Sequence, residues 1–263
     1  MFDIDIPILA KSIKEFSHEG IILIAPDYAV ANICNDKWKT HNFLLKNNIN
    51  TPKSFISLQE AIDQIQMGVI DFPLIIKPRW GMGSIGIYEV KNQHELKNLY
   101  NYLQRQILAT YIKYESQEEL SKSIIIQEKI SGQEYGLDII NDLKNNYVTT
   151  LIKKKIAMRA GETDHAIVEE HPNLSKIGSV LGKKLKHISI LDVDCFLAMD
   201  NSIYILEMNC RFGGHYPFAH LAGANIPLAI VNWLQGSKPD EKLFNVRFGT
   251  EGIKDIIPTI IQT

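Results

Sequence analysis

Two runs, Ile190-Leu191-Asp192-Val193-Asp194-Cys195-Phe196 and Leu206-Glu207-Met208-Asn209-Cys210-Arg211, alternate apolar and polar residues as strands do, and Asp200-Asn201 between them is a favoured turn pair. With that pair at a hairpin tip, Asp194 sits opposite Glu207 and Asp192 opposite Asn209. All four share one face, because strand side chains alternate with period two. Like charges directly opposite are destabilising. The face makes sense once a cation neutralises it, and Mg²⁺ takes carboxylate and amide oxygens while keeping phosphate and water as other ligands. The hairpin thus offers Asp192, Asp194, Glu207 and Asn209 as a face for a cation. A turn one residue longer would shift this pairing.

The chain around this hairpin has 263 residues, 45% hydrophobic and 22% charged. That is a globular composition, with enough residues for one large or two small cores. A formal net charge of −2 gives no general attraction to nucleic acid, and Lys153-Lys154-Lys155 is too short a run for a basic binding face. Nucleic acid and membrane are not expected partners, because no apolar run of about 18 residues exists to span a bilayer. Cys34, Cys195 and Cys210 lack metal-ligand spacing and read as reduced thiols, so a cytoplasmic location is expected.

Along the chain, residues 8–18 read as a helix ended by Gly20, and 21–25 as a short buried strand before Pro26. Asp36 can cap a helix running to about Asn47. A strand near 54–56 and a helix from Ser57 to Gln66 precede two strands, 74–77 and 85–90. A helix over 93–108, a polar stretch over 115–122 and a buried strand at 124–126 follow. Strands at 135–140 and 147–156 form a hairpin across Asn141-Asp142, with one inward lysine and two outward ones in 153–155. A helix over 175–186 leads into the acidic hairpin, and 217–236 reads as one or two helices.

Gly81-Met82-Gly83-Ser84-Ile85-Gly86 matches the G-x-G-x-x-G pattern of dinucleotide-binding folds. That fingerprint must open a helix, whereas the residues after it have strand character. A strand, glycine turn, strand unit fits better, and its backbone N–H groups can close over phosphate oxygens without Cβ clashes. Lys77 would add positive charge there. An ordinary glycine-rich hairpin is the competing reading. A protein kinase is excluded by the lack of H-R-D and D-F-G segments.

Taken in order, Asp36-Lys37, Ile76-Lys77-Pro78 with the glycine turn, residues 127–135, and Glu207-Met208-Asn209-Cys210-Arg211 resemble the ATP-grasp superfamily, in particular proteins similar to the carbamoyl-phosphate synthase large chain. The resemblance covers almost the whole chain. It implies an α/β fold in which two α+β subdomains clasp ATP: a remnant of a pre-grasp domain at 1–34, a linking helix at 35–52, a small lid subdomain at 53–131 and a large subdomain at 132–263. It implies that Lys37 and Lys77 contact the nucleotide phosphates under a lid built on Gly81, Gly83, Ser84 and Gly86. It places Lys129 and Ile130 at a hinge whose backbone meets adenine, Glu128 beside the adenine amino group, and Glu134 on the ribose. Asp194, Glu207 and Asn209 match its metal positions, for Mg²⁺ or Mn²⁺, and Arg211 matches an arginine that faces the acyl phosphate or its carboxylate precursor.

The activity so implied is ADP-forming ligation of a small-molecule carboxylate to an amine through an acyl phosphate. Two alternatives stand beside it: an ATP-binding subunit or sensor that needs a partner, and a carboxyphosphate-forming enzyme. Arg159 has two readings, a bidentate ligand for a substrate carboxylate or a solvated charge at a strand end. His165 reads as a loop or cap histidine, and His215 as either an acceptor-pocket or a structural residue. Lys155 is the inward lysine of its run. Residues 2–7 resemble the middle of a pre-grasp domain, so a homo-oligomer or a partner chain is expected to supply the rest and cover exposed strand edges.

Overall fold

A computed structural model describes residues 3–81 and 86–255. Ten strands are present among the described residues: β1 (Ser54–Phe55), β2 (Leu74–Pro78), β3 (Tyr88–Val90), β4 (Ile124–Glu128), β5 (Gly132–Asn141), β6 (Tyr147–Arg159), β7 (Glu162–Val168), β8 (Ser189–Ala198), β9 (Ile203–Asn209) and β10 (Glu251–Ile253). They form a four-stranded sheet in the order β1-β4-β2-β3 and a six-stranded sheet in the order β10-β7-β6-β5-β8-β9. Every pairing is antiparallel.

Period-two alternation gives each sheet two different faces. In the small sheet, Leu74, Ile76, Ile124 and Ile126 pack with Leu96, Leu103 and Ile107 of the helix Gln93–Ala109. Ile75 and Lys77 point the other way, toward the large sheet. In the large sheet, Leu137, Ile139, Leu191 and Val193 face Leu174, Leu181 and Leu185 of the helix Pro172–Leu185. Helices Tyr28–Asn35 and Lys37–Lys46 reach the same core through Val30, Ala31, Cys34 and Leu44. On the reverse face, Ile140, Leu151 and Ile190 pack on Tyr216, Ala219, Ile226 and Ile230. On β7 the same face packs Ala166 and Val168 on Phe218 and Ala222, and between these apolar patches it carries Glu134, Asp138, Lys153, Lys155, Asp192 and Asp194.

Side-chain caps set the helix starts read from the sequence. Asp36 accepts from the N–H groups of Trp38 and Lys39, and Ser57 from Glu60. The segment 21–25 differs from expectation and is no strand. Ile21 and Ile22 are exposed while Ala25 is buried, and no strand among the described residues lies alongside to pair with its backbone. Hydrophobic content suggested a strand there, but a strand also needs a neighbour for its N–H and C=O groups. No helix among the described residues is long and apolar enough to cross a membrane.

The hairpin register has two parts. Asp194 pairs with Glu207 and Asp192 with Asn209, as symmetry about Asp200-Asn201 requires. Nearer the tip, Cys195 pairs with Ile205 and Leu197 with Ile203, one residue out of that register. The loop is longer than a two-residue turn, with Ala198 N–H donating to Ser202 O and Asn201 left-handed at φ 64. A bulge at Leu206 absorbs the difference. It lets Ile205 and Met208 both enter the core while Leu206 and Glu207 both face the small sheet.

His187, fully buried after the helix Pro172–Leu185, meets Ile139 O at 3.0 Å from Nε2. Burial pushes its pKa down from 6.5 to about 4. The folded state therefore binds fewer protons than the unfolded chain, and this contribution is complete above the unfolded pKa and lost as pH falls through the window from 6.5 to about 4. Urea unfolding should show about 3 kcal/mol of stability lost across this window, and His187→Gln should flatten the slope. An unchanged slope in the variant would assign the loss to other groups.

Candidate functional site

A cleft of ≈ 420 Å³ lies between the polar face of the large sheet and the facing side of the small one. That volume suits a ligand of a few dozen atoms. Of the residues singled out from the sequence, Lys77, Glu128, Lys129, Ile130, Glu134, Asp194, Glu207, Asn209 and Arg211 line it. Residues 129–131 are the link between β4 and β5, so the two sheets meet at the back of the cleft.

Five carboxylates crowd the large-sheet face: Glu134 and Asp138 on β5, Asp192 and Asp194 on β8, and Glu207 on β9. Cations reach them from neighbouring elements. Lys155 on β6 bridges Glu134 (2.7 Å) and Asp194 (2.6 Å). Lys37 lies 3.7 Å from Glu207 and donates to Gly81 O at 2.8 Å. Burial alone would raise the Glu207 pKa, but Lys37 and Lys77 override it and hold the carboxyl below its ordinary value. For Asp194, burial wins over Lys155, and its pKa is raised. Lys77 is buried and makes no ion pair among the described residues; burial pushes its pKa down. An ammonium left so in a cleft is a ready seat for an anion.

The start of the glycine turn is anchored from outside. Arg79 holds Asp36 with two 2.8 Å hydrogen bonds, both side chains being buried, and Lys37 N–H donates to Arg79 O. The capping residue of the helix Lys37–Lys46 is thus tied to the end of β2, which fixes Lys37 against Gly81. Gly81 and Gly86 both have positive φ, at 104 and 73, and a Cβ on Gly86 would lie 2.6 Å from Leu103 Cδ1. Gly83 and Ser84 lie outside the described residues.

The other residues named from the sequence have partners of their own. Glu128 lines the cleft, but its carboxylate accepts from Lys53 N–H at 3.1 Å. Lys129 pairs with Glu89 at 2.5 Å. Arg159, at the end of β6, stands outside the cleft lining: it is half exposed, pairs with Asp164 at 2.5 Å and donates to Lys254 O at 3.1 Å. Its setting is that of a strand-end charge, with Nη2 against Asp164 on β7 and the carbonyl of Lys254. His165 meets Glu251 at 2.6 Å on the edge strand. Lys153 and Lys155 both point inward, correcting the expectation of one inward lysine, because residues two apart share a face.

The sequence reading missed Asp138 and Lys153, fully buried and in contact with each other, and the placing of His215 between Asp138 and Asp192. Gly136 inside β5 was the available signal, since a strand glycine often marks close approach by another group. It also missed an apolar portion of the lining made by Ile75, Ile87, Met158, Phe196 and Leu206. These sit on five different segments, so no local pattern joins them.

A family model described as ATP-grasp domain matches residues 34–215. The carbamoyl phosphate synthase large chain of Helicobacter pylori is 24% identical over 230 residues, covering 84% of this chain and 20% of that protein. The chain thus spans about a fifth of the length of that relative. Among solved structures, the biotin carboxylase domain of Hydrogenobacter thermophilus 2-oxoglutarate carboxylase, in complex with MgADP, ADP and bicarbonate, superposes with a TM-score of 0.74 at 16% identity, over 92% of this chain and 54% of that one. An L-amino acid ligase from Bacillus licheniformis gives a TM-score of 0.67 at 19% identity, over 89% and 56%.

Asp36→Asn removes the partner charge of buried Arg79 and weakens the link that holds Lys37. It should cost about 3–5 kcal/mol in urea unfolding, the usual result of breaking a buried pair from one side. A loss under about 1 kcal/mol would show that Glu119, also in contact with Arg79, suffices.

Proposed function

The chain belongs to the ATP-grasp family, and from that premise we propose that it is an ATP- and Mg²⁺-dependent ligase that joins a carboxylate to an amine through an acyl phosphate, releasing ADP and phosphate. The observation that carries this reading is the pairing of Asp194 with Glu207 beside Asn209, in a cleft that also holds the unpaired Lys77.

The donor set fits the implied groups. Asp194, Glu207 and Asn209 offer hard oxygen ligands of the kind Mg²⁺ takes, and the like charges of the first two favour a cation between them. Bound Mg²⁺ would supply charge neutralisation of the phosphate oxygens during transfer. Ile75, Ile87, Met158, Phe196 and Leu206 offer apolar surface to a base, near the Lys129-Ile130 link, and Glu134, in the same lining, would accept from ribose hydroxyls. Lys37 and Lys77, with Gly81 and Gly86 beside them, suit the phosphates.

A carboxylate is a poor electrophile, and it must approach a polyanion. Lys77 and Arg211 would lower that repulsion, Lys77 from the small sheet and Arg211 from the end of β9. The carboxylate oxygen takes the γ-phosphoryl group as the bond to ADP breaks. The amine then attacks the acyl carbon, the C–N bond forms as phosphate leaves, and the amine proton passes to solvent or a base. Arg211 supports this role with one N–H in reserve: of its five, the one on Nε and one of the two on Nη2 engage Asp3 at 3.3 and 3.0 Å, and the two on Nη1 engage Asp192 and the carbonyl of Phe212.

ADP release from MgATP should depend on one member of a panel of amino acids, other carboxylates and bicarbonate. Hydroxylamine should trap a hydroxamate with a competent carboxylate. Glu207→Gln, which removes charge without changing volume, should lower turnover by about a hundredfold or more. Equal turnover in the variant defeats the metal assignment; MgATP binding without ADP release favours a subunit that needs a partner.

A further inference from the structure

Behind Arg211 runs a line of alternating charges: Lys153, Asp138, His215, Asp192, Arg211. The first four are buried, and Lys153 and Asp138 have no exposed surface at all. His215 Nδ1 lies 3.3 Å from Asp138 Oδ1, and Nε2 lies 2.5 Å from Asp192 Oδ1. Asp192 Oδ2 meets Arg211 Nη1. Each ring nitrogen thus faces a different carboxylate, the setting of an imidazolium paired at both ends. Although Asp138, Asp192 and His215 bring ligand atoms within 4.8 Å of one another, Lys153, His215 and Arg211 already neutralise these carboxylates. The cluster is a chain of ion pairs.

Two glycines make room for it. A Cβ on Gly136 would lie 2.3 Å from His215 Cδ2, and one on Gly213 would lie 2.2 Å from Asp192 Oδ1. Neither glycine has a positive φ, so the backbone does not require them. Their lack of a side chain serves the close approach of His215 and Asp192. Lys153 and Asp138 fix one end of the ring, and the other end fixes Asp192, which holds Arg211 together with Asp3.

We propose that His215 is a positioning residue: held by Asp138, it fixes Asp192 and thereby the direction in which Arg211 offers its remaining N–H to the accepting carboxylate. This inference rests on the ligase reading for the identity of what Arg211 meets. Its geometry can be tested without turnover. Buried networks of this kind act as units, so loosening one member should free the next.

The experiment compares wild type, His215→Asn and Gly136→Ala, the last displacing the ring without deleting it. Phenylglyoxal labelling of the ligand-free proteins, read by peptide mass spectrometry, should be roughly fivefold or more faster at Arg211 in both variants, with half-exposed Arg159 unchanged as internal reference. MgATP affinity by calorimetry should stay within about twofold of wild type, while KM for the competent carboxylate rises about tenfold with a smaller change in kcat. Unchanged Arg211 labelling in folded variants overturns the inference, as does a parallel loss of MgATP affinity. Failure of both variants to fold also overturns it, in favour of a purely structural histidine. A wild-type chain inert toward every carboxylate defeats the ligase reading, whereas the labelling result is read separately.

Discussion

The neutralisation of carboxylates on three adjacent strands is the constraint on which the rest of the structure depends. Asp138 lies beside Asp192, and Asp194 beside Glu207, on one face of β5, β8 and β9. Such neighbours repel, and burial strengthens the repulsion because water is not there to screen it. The cations that answer them come from other elements: Lys155 and Lys153 from β6, His215 and Arg211 from the loop after β9, Lys37 from the helix beside β1, and Lys77 from the small sheet. The charges therefore tie together segments that the apolar cores leave in separate clusters. The two sheets face each other across a cleft whose walls attract.

How much of this was legible depended on whether the information was local. The acidic face could be read because alternation along two strands and a turn pair between them are short-range facts, and the register at Asp194 and Glu207 agrees with that reading. The agreement comes from two compensating departures. A longer loop shifts the pairing at the tip, and the bulge at Leu206 shifts it back before the acidic residues. The apolar pattern contains the clue, since Ile205 and Met208 are three residues apart and both belong to the core. A straight strand cannot place such a pair on one face.

What could not be read was set by partners distant in sequence. Ile21 to Ala25 has the composition of a strand, but composition does not supply an adjacent strand, and the segment is irregular. Lys153 could be taken for a solvated charge until Asp138, fifteen positions earlier and on the next strand, is seen against it. Arg159 follows the same rule in reverse: the sequence left it between a substrate ligand and a strand-end charge, and Asp164 and the carbonyl of Lys254, both meeting its Nη2, are partners the local sequence did not name. The helix starts at Asp36 and Ser57 were legible because a cap is a bond between near neighbours.

The energetics of the buried charges bear on what they are for. A buried ion pair repays its desolvation poorly, and an apolar group of equal volume is often as stabilising or more so. The large sheet has the means to be apolar on both faces: its reverse side becomes so beyond Asp138, where Ile140, Leu151 and Ile190 meet the helices after Tyr216. Along β5 the same face changes from Glu134, Gly136 and Asp138 to Ile140 within a few residues. Fold stability alone gives no reason for that change. A cleft that must hold opposite charges at fixed distances does, and departures from good packing collect where function requires them. The apolar clusters on the opposite face stabilise the strands that carry the charges, so the same β5 and β8 residues that alternate into the core also set the spacing of the carboxylates in the cleft.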